Sequence, residues 1–259
     1  MKESHGVRNY VITTYLVFWA MVLVICGGAS MVFNAPPIVM RILSDICAWS
    51  PTIVLMIMWT RLREELTRKA FLRECFRAKV KVLPLVLPAA IVAAGSIFAV
   101  WMLAMFQGNN FSTYFSMGGY SFMASFLLSI LSGPTGEEAG WRGYLRVELN
   151  KKYSFVRASL IQGIIWAFWH TVLWFVDSDF SGALMLPYIV ANVVVMCCLA
   201  IVMNVVLEKS NNLIYSICIH FAFNFVYCFL VVDIWFYLFL SIVYVAIALA
   251  FLYYRKSRR

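Results

Sequence analysis

Charged side chains are scarce in this chain. Of its 259 residues only 13% are Asp, Glu, Lys or Arg, whereas 63% are hydrophobic. A soluble domain carries about a quarter charged residues, so this chain has too few of them to cover a surface that faces water. The composition excludes an ordinary soluble domain and favours a protein that lies almost entirely inside a lipid bilayer.

Several signatures of other protein classes are also missing. The sequence has no Gly-rich phosphate loop and no HExxH helix. Its seven cysteines are odd in number, lack zinc-finger spacing and, except for Cys75, fall in or near apolar runs, which argues against a disulfide framework. A net charge of +9 would suggest nucleic acid for a soluble domain. Here the basic residues lie between apolar runs, as in membrane-protein loops, so we expect no nucleic-acid partner.

Long apolar runs dominate what is present. A run of roughly 18 apolar residues or more can cross a hydrocarbon core about 30 Å thick. The runs show no alternation of apolar and polar residues, which favours helices over a barrel. The predicted fold is an all-α, polytopic integral membrane helix bundle with about eight transmembrane helices, forming one domain over residues 1–259. The predicted spans are 10–33, 38–60, 82–105, 116–133, 155–176, 183–207, 212–231 and 233–254.

The distribution of Lys and Arg predicts the orientation. Basic residues precede the first span, fill residues 61–81, follow the fourth span and end the chain, whereas the alternate connections carry almost none. Arg41 is the exception, and it can pair with Asp45 four residues later. Because cytoplasmic loops carry the excess of Lys and Arg, we expect a multi-pass protein of the plasma membrane with both termini in the cytoplasm.

Glu137, Glu138 and Arg142 form the first group of ionisable residues at membrane depth. They follow the segment 133–136, Gly-Pro-Thr-Gly, which should break a helix and restart it with Thr135 as N-cap. Glu138 and Arg142 are spaced i and i+4, so they can pair on one helix face, whereas Glu137 points elsewhere and is left to act as a general base. The alternative is that both glutamates neutralise loop cations at the membrane interface.

Three further polar residues lie in later spans. His170 is about as deep as Glu137 by helical rise, and it is either a site residue or a core histidine bonded to a backbone carbonyl. His220 and Asn224 are neighbours on one helix and can donate to one oxygen, as an oxyanion hole requires. Their alternative role is a polar contact between helices. Polar groups on three helices favour a shared site, which the depth estimates predict to open to the cytoplasm.

These residues resemble the motifs of one family. The segment from Glu137 to Arg142 is similar to the EExxxR motif of the CAAX protease and bacteriocin-processing family, also called CPBP or Abi. The segment from Trp166 to His170 is similar to the FxxxH motif of that family, and the segment from His220 to Asn224 is similar to its HxxxN motif. The resemblance covers roughly residues 115–230, the motif-bearing core. Trp166 stands where the family usually has Phe, so an aromatic residue is retained.

The resemblance implies an intramembrane glutamic protease similar to type II CAAX prenyl endopeptidases. It implies that Glu137 and His170 activate a water, that His220 and Asn224 stabilise the oxyanion, and that Glu138 and Arg142 support the first motif. The expected substrate is a membrane-associated peptide or lipidated protein, either a CAAX-like tail or a bacteriocin or leader peptide, with no cofactor. Two alternatives stay open: a zinc protease with the metal at Glu137, His170 and His220, and a non-catalytic binding or immunity protein.

Overall fold

The protein is an all-helical bundle. In the computed structural model 81% of the chain is helical and, among the described residues, there are no strands. Phe115 and Leu230 form an isolated bridge pair. The structure describes residues 2–63, 65–117 and 119–258, so Met1, Glu64, Gly118 and Arg259 of the predicted domain lie outside the described residues.

The first half of the chain builds one long helical hairpin, a short helix and one further long helix. Pro36 and Pro37 begin the second hairpin arm, where a missing N–H costs nothing. A π-helical turn, Val22–Cys26, interrupts the first arm. The helices are α1 Lys2–Met21, α2 Gly27–Met31, α3 Pro37–Cys47, α4 Ser50–Ile57, α5 Trp59–Leu62, α6 Arg68–Cys75 and α7 Val82–Gln107.

The second half contains the predicted motif-bearing core. Short 3₁₀ turns, Phe111–Tyr114 and Gly182–Leu184, lie in its loops, and a π-helical segment, Ala139–Leu145, continues the helix that carries the glutamates. The helices are α8 Phe122–Leu131, α9 Gly133–Glu138, α10 Arg146–Asn150, α11 Phe155–Trp169, α12 Thr171–Val176, α13 Met185–Ser210, α14 Ile214–Tyr227 and α15 Ile234–Ser257.

Six of the eight predicted spans are long, apolar helical segments in the described part of the chain: His5–Met31, Pro37–Ile57, Val82–Gln107, Phe155–Val176, Gly182–Ser210 and Ile234–Ser257. The other two predictions need correction in length. The span predicted at 116–133 contains only the ten residues of α8 before the helix breaks, and the span predicted at 212–231 is the shorter apolar helix α14. The polytopic helical fold is therefore confirmed, with six full-length candidate spans and the shorter apolar helix α14 among the described residues.

Polar and small residues hold the central helices together. α13 packs between α11 and α15, and Gly163 of α11 brings that helix against the Cys197 backbone of α13. Asn204 Nδ2 donates to Ser159 Oγ at 3.0 Å and to Gln162 Oε1 at 2.8 Å. Such polar contacts between helices stabilise membrane bundles because lipid offers no other partner.

The bundle has two chemically different ends. At one end, which we call the basic end, Arg63 pairs with Glu148 at 3.2 Å, Cys75 O accepts from Leu213 N–H at 2.8 Å, and Arg255 pairs with Glu208. The basic segments 61–81 and 146–157 meet there. At the other end, the far end, the loops around residues 114 and 230 are joined by backbone hydrogen bonds.

Candidate active site

The first site element is a break in the helix at Ser132. This residue has ψ −126°, outside the helical region, and Pro134 follows in the first turn of α9, where proline is tolerated. The break was predicted, but its cap was placed wrongly. Thr135 Oγ1 donates back to Ile130 O at 2.9 Å instead of capping a new helix. The reason is that α9 begins two residues earlier, at Gly133, so Thr135 already lies inside it.

The segment after the glutamates is π-helical, from Ala139 to Leu145. This wider helix lies against α4, and a Cβ added at Gly140 would meet Pro51 O at 2.7 Å, so only glycine permits that approach. Tyr10 closes the same contact by donating to Pro51 O at 2.9 Å. Single π turns are frequent at functional sites, and this one turns the side chains of the first motif toward α11 and α14.

Glu138 is the centre of a buried ionic network. Arg142 Nη1 donates to Glu138 Oε1 at 3.0 Å, which confirms the predicted i, i+4 pair, and both side chains are fully buried. His220 Nδ1 lies 2.9 Å from the same oxygen. Since an ionised carboxylate only accepts, the His220 proton lies on Nδ1 and Nε2 faces away from Glu138. Glu138 therefore orients a histidine of a distant helix as well as the arginine of its own.

Glu137 has a partner that sequence reasoning missed. Trp166 Nε1 donates a short hydrogen bond to Glu137 Oε2. The Trp166 ring also lies 3.9 Å from Arg142 Cζ in a cation–π contact and 5.1 Å from the His220 ring. Trp166 thus touches three motif residues at once. The available signal was its position one helical turn before His170, on the same face.

The Glu137 carboxylate and the His220 ring meet over the break in the helix. A Cβ placed on Gly133 would lie 2.6 Å from Glu137 Oε1 and 2.9 Å from His220 Nε2. Glycine at this position leaves the space in which both atoms lie. A carboxylate oxygen and an imidazole nitrogen therefore border one small volume, and Glu137 is only 3% exposed.

His170 makes the backbone contact that was one of its two predicted alternatives, and it also lies in the cavity wall. Its Nδ1 lies 2.9 Å from Trp166 O, which is the backbone contact of a core histidine. The same residue is half-buried and lines the cavity that contains Glu137. Because Nδ1 donates to the carbonyl, Nε2 is the nitrogen of a neutral ring that accepts a hydrogen bond.

Residues from all three motifs line one cavity of about 320 Å³. Asn224, half-buried and one turn beyond His220, contributes to its wall together with Glu137, His170 and Gly133. The structure therefore brings the four predicted catalytic residues Glu137, His170, His220 and Asn224 to one cavity and keeps Glu138 and Arg142 buried beside it. Their chemical roles stay predictions.

The zinc alternative requires three side chains to converge on one ion. Within the described residues, no three His, Cys, Asp or Glu side chains form a group with the spacing of a metal site. His220 Nδ1 contacts Glu138 and His170 Nδ1 contacts Trp166 O, which leaves the Nε2 atom of each ring available, as in histidines that bind metals. The zinc alternative stays a prediction, and metal analysis of the purified protein tests it.

Two comparisons with known proteins concern this same part of the chain. Residues 119–226 match the family model described as type II CAAX prenyl endopeptidase Rce1-like. A stretch of 141 residues is 31% identical to CAAX prenyl protease 2 of Methanococcus maripaludis, and it covers 51% of this chain and 50% of that protein. The chain thus aligns with about half the length of this curated relative. The family match spans all three motifs, so the predicted resemblance is confirmed.

Proposed function

We propose that this chain, whose residues 119–226 match the Rce1-like family of type II CAAX prenyl endopeptidases, is an intramembrane endopeptidase of the glutamic type. It hydrolyses a peptide bond in a membrane-associated peptide or protein. The observation that carries the proposal is the meeting of Glu137 Oε1 and His220 Nε2 over Gly133, in a cavity that His170 and Asn224 also line.

The first chemical step uses Glu137 as the base. A water held by Glu137 and by His170 Nε2 gives its proton to the carboxylate while its oxygen bonds to the scissile carbonyl carbon. The Trp166 N–H fixes the direction of the Glu137 carboxylate, because it occupies Oε2 and leaves Oε1 beside Gly133. A base held in one orientation reduces the entropy lost in reaching the transition state.

The negative charge that develops on the carbonyl oxygen needs donors. Asn224 donates from its side-chain amide, and His220 donates from Nε2 when its ring is positively charged. The Glu138 carboxylate, 2.9 Å from His220 Nδ1, stabilises that charge. Glu137 then returns its proton to the departing amine as the C–N bond breaks, which regenerates the carboxylate and releases both peptide products.

The direct test compares protein N-termini in membranes of cells that express wild type or Glu137→Gln. Glutamine keeps the shape of the side chain but cannot take a proton, so specific N-termini should vanish. Glu74→Gln is the matched control, because Glu74 is an exposed carboxylate of α6 outside the cavity. An active Glu137→Gln variant at equal expression would refute the proposal, and stoichiometric zinc lost together with activity would favour the metal version.

A further inference from the structure

A second concave site, which we call the lateral groove, lies at the basic end of the bundle. It has a volume of about 750 Å³ and is bordered by α7, α13, α15 and the segment 78–81 that precedes α7. None of the described residues that line the lateral groove also lines the cavity of the three motifs. The groove is therefore a separate site, which the proposed reaction leaves unused.

Four basic side chains border the lateral groove where its helices begin or end. They come from three parts of the chain, and all are exposed: Lys79, Lys81, Lys209 and Arg258. No acidic residue lines the groove in the part of the chain that the structure describes. Glu208, the acid next to Lys209 in sequence, forms two hydrogen bonds with Arg255 in a neighbouring pocket. The groove therefore offers four positive charges to an anion.

One aromatic ring contacts two of these cations. Lys209 Nζ lies 4.8 Å from the centroid of the Tyr254 ring, and Arg258 Cζ lies 5.1 Å from the same centroid. A cation over an aromatic face is attracted by the ring quadrupole. Tyr254 itself lines the lateral groove, so these contacts favour a position of both charges beside it.

The segment that carries the two lysines is fixed to α14 by buried groups. Asn212 Nδ2 donates to Ala78 O at 2.6 Å, and the Lys81 N–H donates to Tyr215 Oη at 2.7 Å. Asn212 and Tyr215 are at most 3% exposed. Because buried partners hold this backbone, the segment keeps its place at the edge of the groove before any ligand binds.

Apolar side chains line the rest of the lateral groove. Leu83, Leu87 and Ile91 are spaced four residues apart, on one face of α7. The other two helices contribute Val205, Val206 and Phe251. At 1.5 Å per residue the helix rises about 15 Å from Lys81 to Ile91, which is half of a hydrocarbon core about 30 Å thick. The apolar part of the groove thus has the length of one leaflet.

We infer that the lateral groove binds one anionic phospholipid of the leaflet at the basic end. Its phosphate lies among the four basic side chains, and one acyl chain lies along α7. Basic pockets between transmembrane helices bind anionic lipid headgroups in this way. A zwitterionic headgroup would leave the excess positive charge uncompensated, and a free phosphate would leave the apolar part of the groove unused. This inference does not depend on the proposed function.

The headgroup part is tested by native mass spectrometry of the full-length protein purified in detergent. The probes are phosphatidylglycerol and phosphatidylcholine with identical acyl chains, and we expect wild type to bind the anionic lipid more tightly. Lys81→Gln combined with Lys209→Gln should reduce this preference about 10-fold or more, because each basic residue near an anionic lipid changes the affinity about fivefold. Arg73→Gln combined with Lys152→Gln is the matched control, since both residues are exposed at the basic end but lie outside the groove.

The acyl-chain part is tested with two tryptophan variants of neighbouring residues on α7. Leu87 is 50% exposed and Val86 is 52% exposed, but only Leu87 lines the lateral groove. Leu87→Trp should lower the affinity for phosphatidylglycerol at least about fivefold relative to Val86→Trp, because the larger ring takes the space of the acyl chain.

Four results would overturn the inference. The first is equal binding of the two lipids by wild type, and the second is an equal loss of preference in the two double variants. The third is the same affinity in both tryptophan variants. The fourth is displacement of the lipid by an equal concentration of inorganic phosphate, which would identify a site for a free anion instead.

Discussion

The Glu138–Arg142 ion pair makes the stability of this bundle unusually sensitive to single substitutions. Both side chains are at most 1% exposed and their atoms are 3.0 Å apart. Removing one partner of such a buried pair costs about 3–5 kcal/mol, because the remaining charge stays buried. We therefore expect Glu138→Gln and Arg142→Met each to lower the free energy of unfolding by about that amount, or the melting temperature by roughly 6–20 °C.

The double variant gives the sharper result. With Glu138→Gln and Arg142→Met combined, neither charge is left alone, so the loss should be smaller than the sum of the two single losses by about 2 kcal/mol or more. His220 keeps a neutral acceptor in the glutamine, so its orientation survives even though its charge is less stabilised. The double variant should therefore be folded but poorly active.

The assay is unfolding of the purified protein in mixed micelles with increasing SDS, followed by tryptophan fluorescence. The matched control is Glu208→Gln, which removes the exposed partner of Arg255, a pair with an atomic separation of 2.6 Å. A partly exposed pair contributes about 0–1 kcal/mol, and this bidentate one should lie at the upper end of that range. Losses below 1 kcal/mol for both Glu138 and Arg142 single variants, with no coupling between them, would refute the reasoning.

Two further substitutions test specific contacts. Trp166→Phe keeps an aromatic ring but removes the N–H that donates to Glu137. Because a hydrogen bond to a charged group contributes about 1.5–3 kcal/mol, kcat should fall about 10-fold or more with little change in KM. Gly163→Ala would place a Cβ 2.5 Å from the Cys197 backbone, which forces α11 and α13 apart and should cost about 1–3 kcal/mol of stability.

Each of these substitutions has a matched control. Trp59→Phe removes an N–H that donates to Leu66 O outside the motifs, and it should leave kcat close to the wild-type value. Gly28→Ala adds a Cβ with no atom within 4 Å, so stability should be unchanged or slightly higher. Equal kinetic losses in both tryptophan variants, or equal stability losses in both glycine variants, would contradict the proposed contacts.

Local properties of the chain were determined by the sequence itself. Scarce charge and long apolar runs predicted a helical membrane bundle, and six of the eight spans are found as long apolar helices. The pairing of Glu138 with Arg142 followed from helical periodicity, because residues four apart share a face whatever surrounds the helix. The three motifs predicted the family match, and Glu137, His170, His220 and Asn224 line one cavity. Their catalytic roles stay predictions.

Contacts between distant helices were decided only by the tertiary structure. The hydrogen bond from Trp166 to Glu137 and the contact of His220 with Glu138 join segments that no local period relates. The N-cap of α9 is Ser132 and not Thr135 as predicted, so the helix begins at Gly133. The sequence around the break contains several residues that can cap a helix, and packing decides between them. Sequence periodicity reports the face of a helix; only packing determines what that face meets.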